Sequence, residues 1–205
     1  MSIKNKIRNL FFTSSKTYWE NRYKKGGNSG AGSYGDKALY KADFINRFIQ
    51  QQQVQSVIEF GCGDGHQLQL LRIPSYLGYD ISPTIIDACR KLYKEDTTKK
   101  FELLQDKNIL IKADLCLSLD VIYHLVEDEV YENYMNDLFN QSDKWVIIYA
   151  WDLDDKQKFH VRHRKFSNWV SRHQPGFSCY ATQSSIKGYC DFFVYQRRDN
   201  TPGLD

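Results

Sequence analysis

The stretch Ser56–Leu71, SVIEFGCGDGHQLQLL, constrains this chain more than any other. Val57, Ile58 and Phe60 read as a buried strand, Gly61, Gly63 and Gly65 as a tight turn, and Leu68, Leu70 and Leu71 as the apolar face of a following helix. Glycines at alternate positions let the backbone turn sharply and let a ligand lie against the main chain. A nucleoside-sized cofactor is the expected occupant.

Spacing narrows the cofactor. A dinucleotide fingerprint needs G-x-G-x-x-G, and position 66 is His, so that pattern fails. The chain carries E-x-G-x-G-x-G from Glu59 to Gly65, then a second strand, YLGYD, ending in Asp80. An acid at the end of that strand is placed to accept hydrogen bonds from ribose hydroxyls. With these residues the chain resembles the class I S-adenosylmethionine (SAM)-dependent methyltransferases. The resemblance implies that Gly61, Cys62, Gly63 and Gly65 border the methionine part of SAM and that Glu59 steadies its ammonium. It also implies that Asp80 binds the ribose and that Ile81 and Leu119 complete the cofactor site.

The chain has 205 residues, 41% hydrophobic and 15% aromatic, which predicts one folded domain. No apolar run approaches the ~20 residues of a bilayer span; the longest is Trp145–Trp151. IRNLFF is too short and too interrupted for a signal segment, so a cytoplasmic protein without a membrane partner is expected. Five cysteines, scattered and never spaced C-x-x-C, suggest neither a disulfide framework nor a zinc site, and no metal is expected. Cys62, inside the glycine turn, is either a tolerated small side chain or a reactive thiol. The net charge of +3 does not call for nucleic acid.

Taken in order, residues 1–15 lack a clear period and read as an arm. KTYWENRYKK from Lys16 has helical spacing, with Tyr18, Trp19, Arg22 and Tyr23 able to cover a site. Gly26–Gly35 has five glycines and two serines. It is either a flexible linker or a lid whose amides form an anion-binding concavity, with Tyr34 favouring a defined loop. Residues 1–35 are thus an arm and lid, and 36–205 the core. Asp36 is a candidate N-cap of a helix to about Gln52 that buries Leu39, Ala42, Ile45, Phe48 and Ile49. Ser82 and Pro83 open a helix through Tyr93 that buries Ile85, Ile86, Cys89 and Leu92. Phe101–Leu104 is a third strand, beyond which Asp106 could reach an adenine amino group.

Asp114–Leu119 reads as the fourth strand, and ligands of open α/β sheets bind beyond such carboxyl ends. Asp120, Tyr123 and His124 therefore face the chemistry. A helix from Glu127 to Phe139, with Val130 on its inner face, precedes a fifth strand, KWVIIYAW. A helix with Phe166, Trp169 and Val170 comes next, and FSCYATQ and YCDFFVYQ form a final hairpin. The fold class is α/β: a three-layer, Rossmann-like sandwich around a seven-stranded, mostly parallel sheet with an antiparallel last strand. The resemblance supplies the strand order 3-2-1-4-5-7-6.

Methyl transfer needs an acceptor nucleophile at attack distance and, for some acceptors, a proton removed. His124 is the candidate general base and Asp120 its rival, against the alternative that His124 only caps the turn. The motif SLDV, Ser118–Val121, departs from the [DNS]-P-P-[YFW] of methyltransferases acting on planar amino groups, which speaks against nucleobases. In the family the acceptor site is roofed by the N-terminal segment and the connection after the fifth strand. Here those are the glycine loop with Tyr34 and the basic stretch holding His160, Arg162, His163 and Arg164, which suits an anionic small molecule. The alternative is a solvated basic surface. Nearly the whole chain is similar to small stand-alone bacterial methyltransferases, some associated with surface-polysaccharide gene clusters. That resemblance implies O-methylation of a phosphorylated or nucleotide-activated acceptor, such as a capsule phosphoramidate precursor. A non-catalytic SAM-binding partner subunit and an RNA methyltransferase are the alternatives.

Overall fold

A computed structural model describes residues 12–107, 110–155, 158–186 and 188–198. Most of the predicted arm, residues 1–11, lies outside the described residues. Seven strands form one sheet: β1 Ser56–Phe60, β2 Ser75–Asp80, β3 Lys99–Leu103, β4 Ala113–Leu119, β5 Ser142–Ala150, β6 Phe177–Gln183 and β7 Asp191–Arg197. Their order is 3-2-1-4-5-7-6, as the resemblance implies. The pairs among β1 to β5 are parallel, and β7 pairs antiparallel with both β5 and β6.

Alternation along the strands divides the core. Val57, Leu115, Leu117, Ile147 and Tyr149 pack on one face against Ala42, Ile45, Phe48 and Ile49 of α2 (Gly35–Gln51) and Ile86 and Cys89 of α3 (Pro83–Leu92). Ile58, Cys116, Val146 and Ile148 pack on the other, against Tyr134, Met135 and Leu138 of α4 (Asp128–Asn140) and Phe166 and Trp169 of α5 (Phe166–His173). The result is the expected helix–sheet–helix sandwich. A further helix, α1 (Ser15–Lys24), is capped by Ser14, whose side chain accepts from the Thr17 amide.

Several local expectations need correction. The segment after the glycine turn is no α-helix but a 3-10 turn, Gln67–Leu70, with Leu71 already extended. Pro74 disfavours helical backbone at Ile73, so the few residues after Gly65 cannot propagate a helix. α2 starts at Gly35 without a side-chain cap, and Asp36 sits in its first turn, where a carboxylate complements the helix dipole. Its buried face runs through Ala38, Lys41, Ala42, Ile45 and Ile49, which turns Leu39 out to 56% exposure. Leu92, the last residue of α3, and Val130 are likewise exposed.

Candidate active site

β3, β2, β1 and β4 lie side by side with parallel direction, so their carboxyl ends open along one edge of the sheet. A cavity of about 360 Å³ runs along that edge. Leu104, Gln105 and Lys107 line it beyond β3, Asp80 and Ile81 beyond β2, Glu59 and Gly61 to Gly63 beyond β1, and Leu119, Asp120, Val121 and His124 beyond β4. Trp19 and Tyr23 of α1, with Ser29 and Ser33 of the glycine loop, cover it.

The glycine turn is built for close approach. Gly61 has φ +81°, and a Cβ there would lie 2.6 Å from Val121 Cγ2. The Gly61 and Cys62 amides donate to the Tyr79 carbonyl at 2.7 and 2.9 Å, fastening the turn to β2. Asp80 completes the fastening, since its carboxylate accepts from the Gly63 amide at 3.1 Å and the Ser82 amide at 3.0 Å. The Ile81 amide also bonds this carboxylate, which still has acceptor capacity for a ligand. Burial pushes the Asp80 carboxyl up to about 6, against the opposing pull of these amides. Glu59 is fully enclosed, and burial raises it to about 7 although the Tyr76 hydroxyl donates to it at 2.6 Å. The Cys62 thiol is pushed well up by its hydrogen bond with Cys89 and by burial, so it stays protonated and inert.

The glycine loop is an ordered cover. The Ser29 amide and the Tyr34 hydroxyl each donate to Asp64 at 2.8 Å, and the Asp64 amide donates back to Ser29 Oγ at 2.8 Å. Tyr34 stacks on His66 with centroids 4.1 Å apart. Arg22 Nε donates to the Asn28 carbonyl at 2.6 Å. α1 is anchored at both ends of the cavity: Glu20 accepts from the Ser82 and Thr84 hydroxyls, while the buried Ser15 amide donates to Glu127 at 2.8 Å and the Ser15 hydroxyl lies 2.6 Å from both Glu127 and the His124 carbonyl, sharing its one proton between them. Against desolvation, which raises it, the hydrogen bonds from Ser82, Thr84 and Lys24 hold Glu20 down to about 2.

Past β4, Asp120 adopts φ +61° and gathers four groups. Its carboxylate accepts from Lys41 Nζ at 2.7 Å, from the Tyr123 hydroxyl at 2.8 Å and from Cys190 Sγ at 3.7 Å. Gly32 of the cover closes on it, where a Cβ would lie 2.5 Å from Asp120 Oδ2. His124 follows on the 3-10 turn Ile122–His124, edge-on to Trp19 with centroids 5.0 Å apart. Burial lowers its imidazole to about 4, although its contact with the His160 carbonyl pulls the other way. Nδ1 lies 3.2 Å from that carbonyl, which can only accept, so Nδ1 carries the proton and Nε2 keeps its lone pair.

Not every candidate residue faces this cavity. Gly65, Tyr34, Tyr123, His160, Arg162, His163 and Arg164 are not among its lining, and neither is Asp106, whose neighbours Gln105 and Lys107 are. Asp106 is exposed because the 3-10 turn Leu104–Asp106 carries it to the outside. The arginines already have partners. Arg162 Nη1 lies 3.2 Å from the Val126 carbonyl and 2.9 Å from Asp128, and Arg164 binds the Leu125 and Val126 carbonyls and Asp128. They brace the segment after β4 instead of presenting a fork to a ligand. His160 stacks between Tyr18 and His124, and His163 packs on Tyr123. Five glycine-loop amides, those of Gly26, Gly27, Ser29, Gly30 and Ser33, also donate within the protein.

Among the cavity residues that the sequence reading did not single out are Lys41 and Gln67. Lys41 is 1% exposed on the inner face of α2. Its signal was a lysine at the centre of an apolar stripe, three residues after Ala38 and four before Ile45. Gln67, 5% exposed, donates from Nε2 to the Ala38 carbonyl at 3.1 Å, and its buried Oε1 has no partner among the described residues. An orphaned buried acceptor beside a glycine turn fits the ammonium of a methionine end, while Asp80 fits a ribose and the apolar Ile81, Leu104 and Leu119 fit a base. The residues present therefore fit SAM.

Comparison with known proteins agrees. No curated protein matches the sequence. Magnesium protoporphyrin IX methyltransferase from Synechocystis PCC 6803, solved with bound S-adenosylhomocysteine (SAH), superposes with a TM-score of 0.63 at 18% identity, covering 95% of this chain and 100% of that one. N-methyltransferase NodS from Bradyrhizobium japonicum WM9, in complex with SAH, gives 0.66 at 12% identity, covering 90% and 99%. The methyltransferase domain of bacterial CtHen1-C gives 0.62 at 16%, covering 78% and 97%. Residues 35–192, from the start of α2 into β7, match a methyltransferase-domain family, and the chain belongs to it.

Proposed function

We propose that this protein transfers a methyl group from SAM to a hydroxyl of a small acceptor, with His124 receiving the proton. The reading is carried by His124: a neutral imidazole at the cavity wall whose Nδ1 is committed to the His160 carbonyl and whose Nε2 lone pair is left to act. SAM supplies an activated methyl on a sulfonium. Asp80 accepts from the ribose, Glu59 faces the ammonium, Ile81, Leu104 and Leu119 hold the base, and Trp19, Tyr23 and Ser29 exclude water. Gln105 and Lys107, which line the cavity beside Leu104 where Asp106 does not, would be the polar side chains nearest the base.

A cavity of about 360 Å³ lies near the lower end of the ~300–1,000 Å³ of ligand pockets, so a cofactor in place leaves room for only a small acceptor. The expectation of an anionic acceptor draws on Arg162, Arg164 and the glycine-loop amides, and that of a phosphorylated or nucleotide-activated precursor of surface polysaccharide on the resemblance alone. Both arginines and five of the loop amides bond within the protein, which favours a hydroxyl over a charged group as the feature recognised. The structural neighbours act under names that span a porphyrin and an N-methyl product, so they do not narrow the acceptor.

Methyl-labelled SAM incubated with fractionated neutral-metabolite, phosphorylated-metabolite and RNA pools tests the reading. Label in a small hydroxylated compound is expected, with turnover reduced about 10²- to 10⁴-fold in His124→Ala. Label confined to RNA, or none in any pool despite SAM binding, would overturn it.

A further inference from the structure

The methionine end of the cavity holds two polar side chains whose hydrogen bonds within the protein do not account for them. Gln67 is fixed in orientation, because only its Nε2 can donate to the Ala38 carbonyl, at 3.1 Å, and that places Oε1 on the other branch. Oε1 is buried and has no hydrogen-bond partner among the described residues, a state that is unfavourable unless a donor arrives. Lys41 stands one helical turn on from Ala38, also in the cavity lining. Its ammonium carries three N–H donors. One goes to Asp120 at 2.7 Å, and the charge also lies over the Tyr149 ring, 5.4 Å from its centroid. Burying an ammonium is unfavourable without an anion, and Asp120 supplies that anion while leaving N–H groups for a second one.

An orphaned acceptor and a buried cation, both in the same lining as Glu59 and the glycine turn, match one chemical pattern. It is an α-amino acid, with an ammonium that needs acceptors and a carboxylate that needs donors. We propose that Gln67 and Lys41 read the amino-acid end of the cofactor, Gln67 Oε1 accepting from its ammonium beside Glu59, and Lys41 donating to its carboxylate. The proposal rests on the reading of SAM as cofactor. Asp120 then acts chiefly as the counter-ion that holds Lys41 in place, and not as a free base. Its carboxylate is already occupied by Lys41, Tyr123 and Cys190.

Calorimetry with four ligands tests this without any acceptor: SAH, its analogue lacking the amino group, its analogue lacking the carboxylate, and 5′-methylthioadenosine, which lacks both. Wild-type protein should bind SAH more tightly than each truncated ligand. Gln67→Met should weaken SAH about ten- to hundredfold and leave the desamino analogue unchanged, because the bond removed goes to that amino group. Lys41→Met should weaken SAH and leave the decarboxylated analogue unchanged, and Lys41→Arg should restore most of the loss. Gln67 also ties α2 through Ala38, and a merely structural role would weaken all four ligands alike. That result would overturn the proposal. So would a wild-type protein that binds methylthioadenosine as tightly as SAH, a comparison that needs no variant to fold. Binding of none of the four would overturn the cofactor reading itself.

Discussion

At Glu59 and Asp80 burial opposes ionisation, raising the carboxyls from ordinary values of 4.5 and 3.8 to about 7 and about 6. A raised carboxyl favours the folded state most where it is protonated. The contribution of Glu59 is therefore full below about 4.5 and is lost as pH rises through about 7. Cofactor binding runs the other way, since an ammonium prefers the ionised carboxylate. SAH should bind about tenfold more weakly at pH 6 than at pH 8, with proton release visible as calorimetric heats that depend on buffer. Glu59→Gln should flatten that dependence; an unchanged profile would remove Glu59 from the ammonium. His124 gives the opposite signature. Lowered to about 4, it is already neutral across pH 5–8, so turnover should show no limb near 6.5 from this group. Asp80→Ala loses the acceptor of the Gly63 and Ser82 amides as well as the ribose contacts. Both Tm and SAH affinity should fall, the latter by about 1.5–3 kcal/mol for each charge-assisted bond.

Among the elements, α1 and the glycine loop form the cover of the cavity. Carboxylates fasten them: Glu20 on Ser82 and Thr84, Asp64 on Ser29 and Tyr34, and Glu127 on Ser15. Two glycines in this cover act through different physics. Gly30 has φ +94° and open space around it, so Gly30→Ala adds backbone strain alone. In Gly32→Ala the new methyl meets Asp120 and the cover cannot seat. Hydrogen exchange over residues 15–34 should rise in Gly32→Ala, while strands β1, β4 and β5 stay protected. Equal protection in wild type and variant would mean that the loop closes elsewhere. The periodicity of α2 and the caps of α3 were legible in the sequence, and so was the hairpin. The helix after Gly65 was misread because leucine spacing says nothing about the room left before Pro74.

For the molecule as a whole, alternation of apolar strands with amphipathic helices made the α/β plan legible, while the strand order came only through the resemblance. The glycine turn and Asp80 are local signals, and they fell on the cavity. Lys41 and Gln67 were not legible in that way, since their roles depend on α2 lying across the turn. Arg162 and Arg164 were misread for a matching reason: Asp128 and the Val126 carbonyl, which occupy them, come from a different segment. A ligand that binds only the folded state at a hundred times its Kd adds about 2.7 kcal/mol. At about 2–4 °C per kcal/mol for a chain of this size, SAH should raise Tm by about 5–11 °C, and NAD should not. The most direct measurement is a crystal structure of the SAH complex. The account predicts the ribose on Asp80, the base between Ile81 and Leu104, and the amino-acid end among Glu59, Lys41 and Gln67 beneath Trp19. SAH bound elsewhere, or seated with its amino-acid end toward Gln105 and Lys107, would contradict it.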